Sequence, residues 1–197
     1  MIRFLRNRRE TSAIPREEPL QALVAYQKTE SEVPTVITIE DTAPTRFVQN
    51  LIKATCQILI DKASPIPSLV ASELITNLAH AEFRRSVVTI SVDGNQLTVS
   101  DHGPGIASKE DALRFGYYSE APAKYRSIVR GAGTGLPFAH QLITAIGGQL
   151  VLADNLDGGT VVTAMTRFLA EKRVRNAELG QDTAAIGLKS PVDRSEE

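Results

Sequence analysis

Apolar positions recur along the middle of the chain with two different periods. Phe47, Leu51, Ala54 and Ile58 fall at i, i+4, i+7 and i+11, one helical face, and predict a helix over 44–60. The stretch from Asp61 to Pro67 breaks it. Val70, Leu74 and Leu78 carry the helical period onward and predict a second helix from Pro67 or Ser68 to about Phe83. The character then becomes that of strands. Residues 86–92 and 96–101 flank Asp93-Gly94-Asn95, a tight-turn signal, and predict a hairpin. A third helix is expected from Gly135, with Leu136, Ala139, Ile143 and Ile146 on one face and Gly147-Gly148 as its stop. Strands are expected at 35–39, 149–153 and 160–168. The order β-α-α-β-β-connection-α-β-β predicts an α+β fold, a two-layer sandwich of a mixed or antiparallel sheet with helices on one face.

The flanks read differently. Residues 1–34 carry Pro15, Pro19 and Pro34 among many charges and suggest a flexible leader with one short helix over 20–28. Residues 171–197 lack periodic apolar positions and suggest a flexible tail. That leaves 35–170 as the folded domain, with 106–130 as a long connection inside it. A chain of 197 residues with 42% hydrophobic content supports one such core.

Composition narrows the function classes. A net charge of −1 gives no electrostatic case for nucleic acid or an anionic membrane. No run approaches the ~18 apolar residues of a membrane-spanning helix. The basic start lacks the apolar core of a secretory signal, although Ile2, Phe4 and Leu5 leave a surface anchor open. The single Cys56 cannot form an internal disulfide and fits a reducing, cytoplasmic setting.

Four features carry chemistry. Glu73 and Asn77 stand at i, i+4 on the second helix, where a carboxylate and an amide offer hard oxygens to Mg²⁺. Asp101-His-Gly-Pro-Gly105-Ile106 ends a strand with an acid that can accept from an exocyclic amine, and its glycines, Gly103 and Gly105, let backbone approach a ring. Arg130-Gly131-Ala-Gly133-Thr134-Gly135-Leu136 opens the third helix, and bare amides at such an N-terminus bind anions. Its spacing fits neither a P-loop nor the dinucleotide fingerprint. Gly158-Gly159-Thr160 places a hydroxyl before the last strand. Taken singly, each also fits a plainer role: a solvated helix edge, a turn, a hinge, a hairpin.

The ordered set resembles the GHKL ATPases, which include histidine kinases, anti-sigma-factor serine kinases, gyrase-type enzymes and Hsp90 chaperones. The N box is similar to Glu73-Leu-Ile-Thr-Asn77, the G1 box to Asp101-His-Gly-Pro-Gly105, and the G2 box to Gly131-Ala-Gly-Thr-Gly135-Leu. The resemblance covers about 35–168. It implies ATP and Mg²⁺ as cofactors, with adenine read by Asp101, the metal held by Asn77 and Glu73, and Gly131, Gly133 and Gly135 against the phosphates. Gly103, Gly105, Ile106, Thr134, Leu136 and Thr160 complete the nucleotide site, and 106–130 becomes its lid. The family often has a basic or histidine residue four positions after the N-box Asn. Here that place is Ala81, and Lys124, Arg126 and Arg130 of the lid are substitutes that could pair with phosphate.

A length of 197 residues leads us to expect neither the gyrase nor the Hsp90 type, which need further large domains. The three His residues (80, 102 and 140) all lie inside the ATP framework, which disfavours a self-phosphorylating histidine kinase. The small, single-domain anti-sigma serine kinases match better, with Glu73 as general base. The implied partner is a regulatory protein: a sigma factor, an anti-anti-sigma factor or a response-regulator-type protein. A homodimer is compatible with this type. Two alternatives remain: a histidine-kinase-type domain acting on a separate chain, for which 142–150 speaks, and a non-catalytic ATP-dependent binding module.

Overall fold

The computed structural model describes residues 18–117, 119–129 and 133–166. Six strands form one sheet in the order β2-β1-β3-β4-β6-β5. They are β1 (Leu20–Tyr26), β2 (Thr35–Asp41), β3 (Ser86–Ile90), β4 (Gln96–Ser100), β5 (Gln149–Asp154) and β6 (Thr160–Met165). All neighbours are antiparallel except β1 and β3, which pair in parallel with Ala22 opposite Ser86. Among the described residues four α-helices accompany the sheet: α1 (Pro44–Asp61), α2 (Ser68–Asn77), the short α3 (Lys109–Ala112) and α4 (Gly135–Ala145). The expected α+β sandwich is thus the observed one.

Strand residues alternate between a buried face and an exposed one, as a sheet covered on one side requires. Val24, Val88, Leu97 and Val99 point into the core, where they meet Phe47 and Leu51 of α1, Val70 and Leu74 of α2, and Ile143 of α4. Burying these apolar side chains supplies the main drive for folding, at about 1.5–3 kcal/mol for each large one.

The structure corrects the sequence reading at two places. Residues 20–28 were expected as a short helix in a leader; they contain β1, which lies inside the sheet. Leu20, Leu23 and Val24 mimic a helical spacing, but Ala22 and Val24 are buried while Gln21 and Leu23 are exposed, which is the strand period. The sheet therefore takes in chain that the sequence reading placed before residue 35. The second helix was expected to reach Phe83, but α2 ends at Asn77 and a 3-10 turn follows over Leu78–Ala81. Glu82 and Phe83 then adopt left-handed backbone at φ 53° and 57°. The Phe83 amide donates to the Leu78 carbonyl at 3.0 Å, closing the helix end. This reversal drops Phe83 into the core, edge-on to Phe47 at 5.1 Å and to Tyr125 at 5.4 Å. That burial offsets the left-handed backbone, which costs roughly 1–2 kcal/mol per residue.

Candidate functional site

The helical layer and the connection after β4 enclose a cavity of about 1040 Å³. Its floor is β4 and β6, through Val99, Asp101, Thr160 and Val162. One wall is the α2 face carrying Glu73 and Asn77, continued by His80 of the 3-10 turn, and the other is the start of α4 with the 106–129 connection.

Asp101 sits just past β4 and is only 9% exposed. Its Oδ1 accepts from the Gly103 amide at 2.8 Å and from the Thr160 amide at 3.3 Å. The Asn155 side-chain amide donates to the Asp101 carbonyl at 2.7 Å. Gly159 passes so close that an added Cβ would lie 2.1 Å from that carbonyl, so glycine is required there. These contacts fix the carboxylate with one oxygen engaged. Oδ2 makes no hydrogen bond to the described residues and can accept from a ligand.

Gly103 lies against the 3-10 turn that follows α2. A Cβ added there would meet the Ala81 Cβ at 2.4 Å and its Cα at 2.7 Å. Ala81 is itself 4% exposed. Position 81 is thus a packing position, and its small side chain is what lets Gly103 approach. His80 lines the cavity instead, with Nδ1 3.4 Å from the Ser119 hydroxyl of the connection. Burial pushes the His80 imidazole below its usual value.

The glycine cluster meets the α2 pair directly. A Cβ at Gly135 would lie 3.0 Å from Glu73 Oε2 and 3.6 Å from Asn77 Oδ1. Thr134 precedes α4 without a side-chain cap, so the first amides of that helix are not capped by it. Asn77 Nδ2 is buried and has no hydrogen-bond partner among the described residues. Buried amides of this kind call for a ligand or water. Gly133 has φ +60° and packs on the Tyr117 carbonyl, which would lie 2.5 Å from an added Cβ.

The connection packs on the body through Leu113, Ile128 and Val129, and two further contacts hold it. Lys109 Nζ reaches Asp154 of β5 at 2.6 Å, and Tyr125 is buried against Phe83. The sequence-predicted residues thus divide. Glu73, Asn77, Asp101, Gly105, Ile106, Gly133, Thr134, Gly135, Leu136 and Thr160 line one cavity, with Gly103 beside it. Lys124 and Arg126 do not line it. Arg126 is 3.6 Å from Glu120, and Lys124 Nζ is 5.8 Å from the centroid of the Tyr125 ring. Arg130 and Gly131 lie outside the described residues, as does Tyr118. The sequence reading gave Asn155 and Ser119 no part in the site and Gly159 only that of a turn before Thr160. An Asn opening a Gly-Gly turn was the available signal for Asn155 and Gly159.

An acid fixed at a strand end, an amide–carboxylate pair on a helix and a helix N-terminus to which Thr134 gives no side-chain cap thus face one cavity. Residues 64–170 match the family of histidine kinase-, DNA gyrase B- and HSP90-like ATPases, and the chain belongs to that family. It is 38% identical over 81 residues to the C4-dicarboxylate transport sensor protein DctB of Pseudomonas aeruginosa, covering 40% of this chain. The match spans 13% of that protein's length. The crystal structure of the DIP2311 protein from Corynebacterium diphtheriae superposes with a TM-score of 0.61 at 16% identity, over 76% of this chain and 34% of that one. The Acinetobacter baumannii histidine kinase AdeS overlaps with a TM-score of 0.38 at 18% identity, over 73% of this chain and 52% of that one. No helix among the described residues is long and apolar enough to cross a membrane.

Proposed function

We propose that this chain is an ATP-dependent protein kinase that phosphorylates a serine or threonine of a regulatory protein, as the anti-sigma-factor kinases do. The observation that carries this reading is the convergence of Glu73 and Asn77 on Gly135 at the N-terminus of α4. Adenine would be read by Asp101 Oδ2, and the phosphates would lie on the amides of α4. The donor set fits Mg²⁺: Asn77 Oδ1 and the Glu73 carboxylate are hard oxygens facing the phosphate position, and nucleotide oxygens would complete the shell. The ion would supply charge neutralisation for the transferring phosphoryl group.

Glu73 lies on the cavity wall between Asn77 and Leu69, where an incoming hydroxyl can lose its proton to the carboxylate. The connection over 106–130 would close over the nucleotide and exclude water. The partner would be a sigma factor, an anti-anti-sigma factor or a response-regulator-type protein. The identity to a sensor protein favours a second reading, transfer to a histidine of a separate chain.

Incubation with γ-labelled ATP and the products of neighbouring genes separates these readings. Acid-stable label on a partner supports serine or threonine transfer, and acid-labile, base-stable label supports histidine transfer. Bound ATP without transfer to any candidate overturns both in favour of a binding module. Glu73→Gln is expected to keep ATP affinity and to slow transfer at least about a hundredfold. Transfer at the parent rate would remove Glu73 as the base.

A further inference from the structure

We propose that Ser119 is phosphorylated by the chain's own bound ATP, with the His80 imidazole taking the hydroxyl proton. Both residues line the nucleotide cavity, and the Ser119 hydroxyl lies 3.4 Å from His80 Nδ1. With the ring proton on Nε2, Nδ1 accepts from that hydroxyl, the nucleophile–base contact that activates a serine. Burial pushes the His80 imidazole below its usual value, which keeps the ring neutral at neutral pH and able to accept. Among the described residues Ser119 is the one cavity-lining hydroxyl hydrogen-bonded to an imidazole. Thr76, by contrast, donates its hydroxyl to the Ser72 carbonyl at 2.8 Å.

The backbone on either side of this pair faces the phosphate position. The Gly116 amide donates to the Gly133 carbonyl at 3.2 Å, and the Tyr117 carbonyl packs on Gly133. The segment that leads to Ser119 therefore lies on the glycine cluster before α4. His80 follows Asn77 into the 3-10 turn Leu78–Ala81, and side chains three apart in such a turn stand in line. His80 thus continues the wall that Glu73 and Asn77 present to the cavity. A γ-phosphoryl group on the α4 amides would have Glu73 on one side of Asn77 and the His80–Ser119 pair on the other. Ser119 Oγ attacks the γ-phosphorus and forms a new P–O bond. The bond from that phosphorus to the β,γ-bridging oxygen breaks, and its electron pair leaves with ADP. The hydroxyl proton passes to His80 Nδ1 and from there to water. This step rests on the cavity's being a nucleotide site, and it needs no partner protein, since the acceptor is in the chain itself.

The test incubates the full chain with Mg²⁺ and γ-labelled ATP, without a partner, and maps the label by mass spectrometry. One acid-stable phosphate on Ser119 is expected, at a rate per chain that does not change on dilution. Ser119→Ala should abolish the label, and Ser119→Thr, which restores a hydroxyl, should keep it. His80→Gln is expected to slow labelling at least about a hundredfold. In the nucleotide-free chain, the His80 ring-nitrogen resonances should move on Ser119→Ala, which removes their hydrogen-bond donor. Ser119 is exposed, so circular dichroism should show an unchanged fold in both Ser119 variants. Calorimetric titration of the parent with ATP separates two kinds of failure. No binding overturns the nucleotide reading and this proposal together, whereas binding without label on Ser119 overturns this proposal alone. Acid-labile label, a rate that rises with protein concentration, labelling of Ser119→Ala or His80→Gln at the parent rate, or unmoved His80 resonances would each overturn it as well.

Discussion

Asp101→Asn separates the two jobs of one carboxylate. In the parent structure Oδ1 holds the amides of Gly103 and Thr160, at 2.8 and 3.3 Å, while Oδ2 remains for the ligand. The amide keeps an oxygen that can accept both backbone bonds, so the loop should stay in place. It replaces Oδ2 with a donor. A hydrogen bond to a charged group contributes about 1.5–3 kcal/mol, and two donors left facing each other cost about 1–3 kcal/mol more. The expected loss of ATP affinity is therefore about 3–5 kcal/mol, or roughly a hundredfold to a few thousandfold. Calorimetric titration with ATP measures it, and a thermal melt of the ligand-free variant reports the fold. Base preference gives an independent check. Inosine triphosphate carries an acceptor where ATP carries an amine, so the variant should shift its preference towards the inosine nucleotide. Parent-like ATP affinity, together with an unchanged base preference, would refute the assignment of Asp101 to the base.

Two further outcomes follow from the geometry. Tyr125→Ala removes the aromatic that seats the connection on Phe83 and is expected to destabilise its anchoring by about 3 kcal/mol; amide exchange should rise over 119–129 more than in α1, and equal protection would show that the anchor lies elsewhere. His80 is held below its ordinary value by burial, so the unfolded chain takes up its proton first as pH falls. Stability should therefore decline as pH drops below the reference 6.5 towards the folded value. Urea midpoints of His80→Gln, compared with the parent above and below that pH, should show a flatter decline.

Much of the fold was legible because its signals are local. The spacing of Phe47, Leu51 and Ile58 marks α1, and all three are buried. Asp93-Gly94-Asn95 marks the β3–β4 hairpin, whose Asp93 side chain accepts from the Asn95 amide at 3.1 Å. β1 was not legible because its period over seven residues is ambiguous, and its parallel partner β3 lies far along the chain. The end of α2 was missed for a different reason. Nothing near Glu82 announces a left-handed reversal, and the burial of Phe83 against Phe47 and Tyr125 is what enforces it. The site followed the same division. Motif residues with a glycine or a helical spacing were visible, whereas Asn155 and Ser119 act only through contacts that folding creates.

The contact between Gly103 and Ala81 leaves no clearance, since even a methyl group on the glycine would overlap its neighbour. The loop that would face the base is therefore locked to the turn that ends the helix facing the phosphates, and the two form one mechanical body. Neither end of a bound nucleotide can be released by tilting one of them alone. Motion that admits or frees a nucleotide is left to the connection between β4 and α4, whose holds on the body include Tyr125 and Lys109. Exchange rates should accordingly depend on the tightness of those two anchors, while the choice of base stays fixed by a seam that does not open.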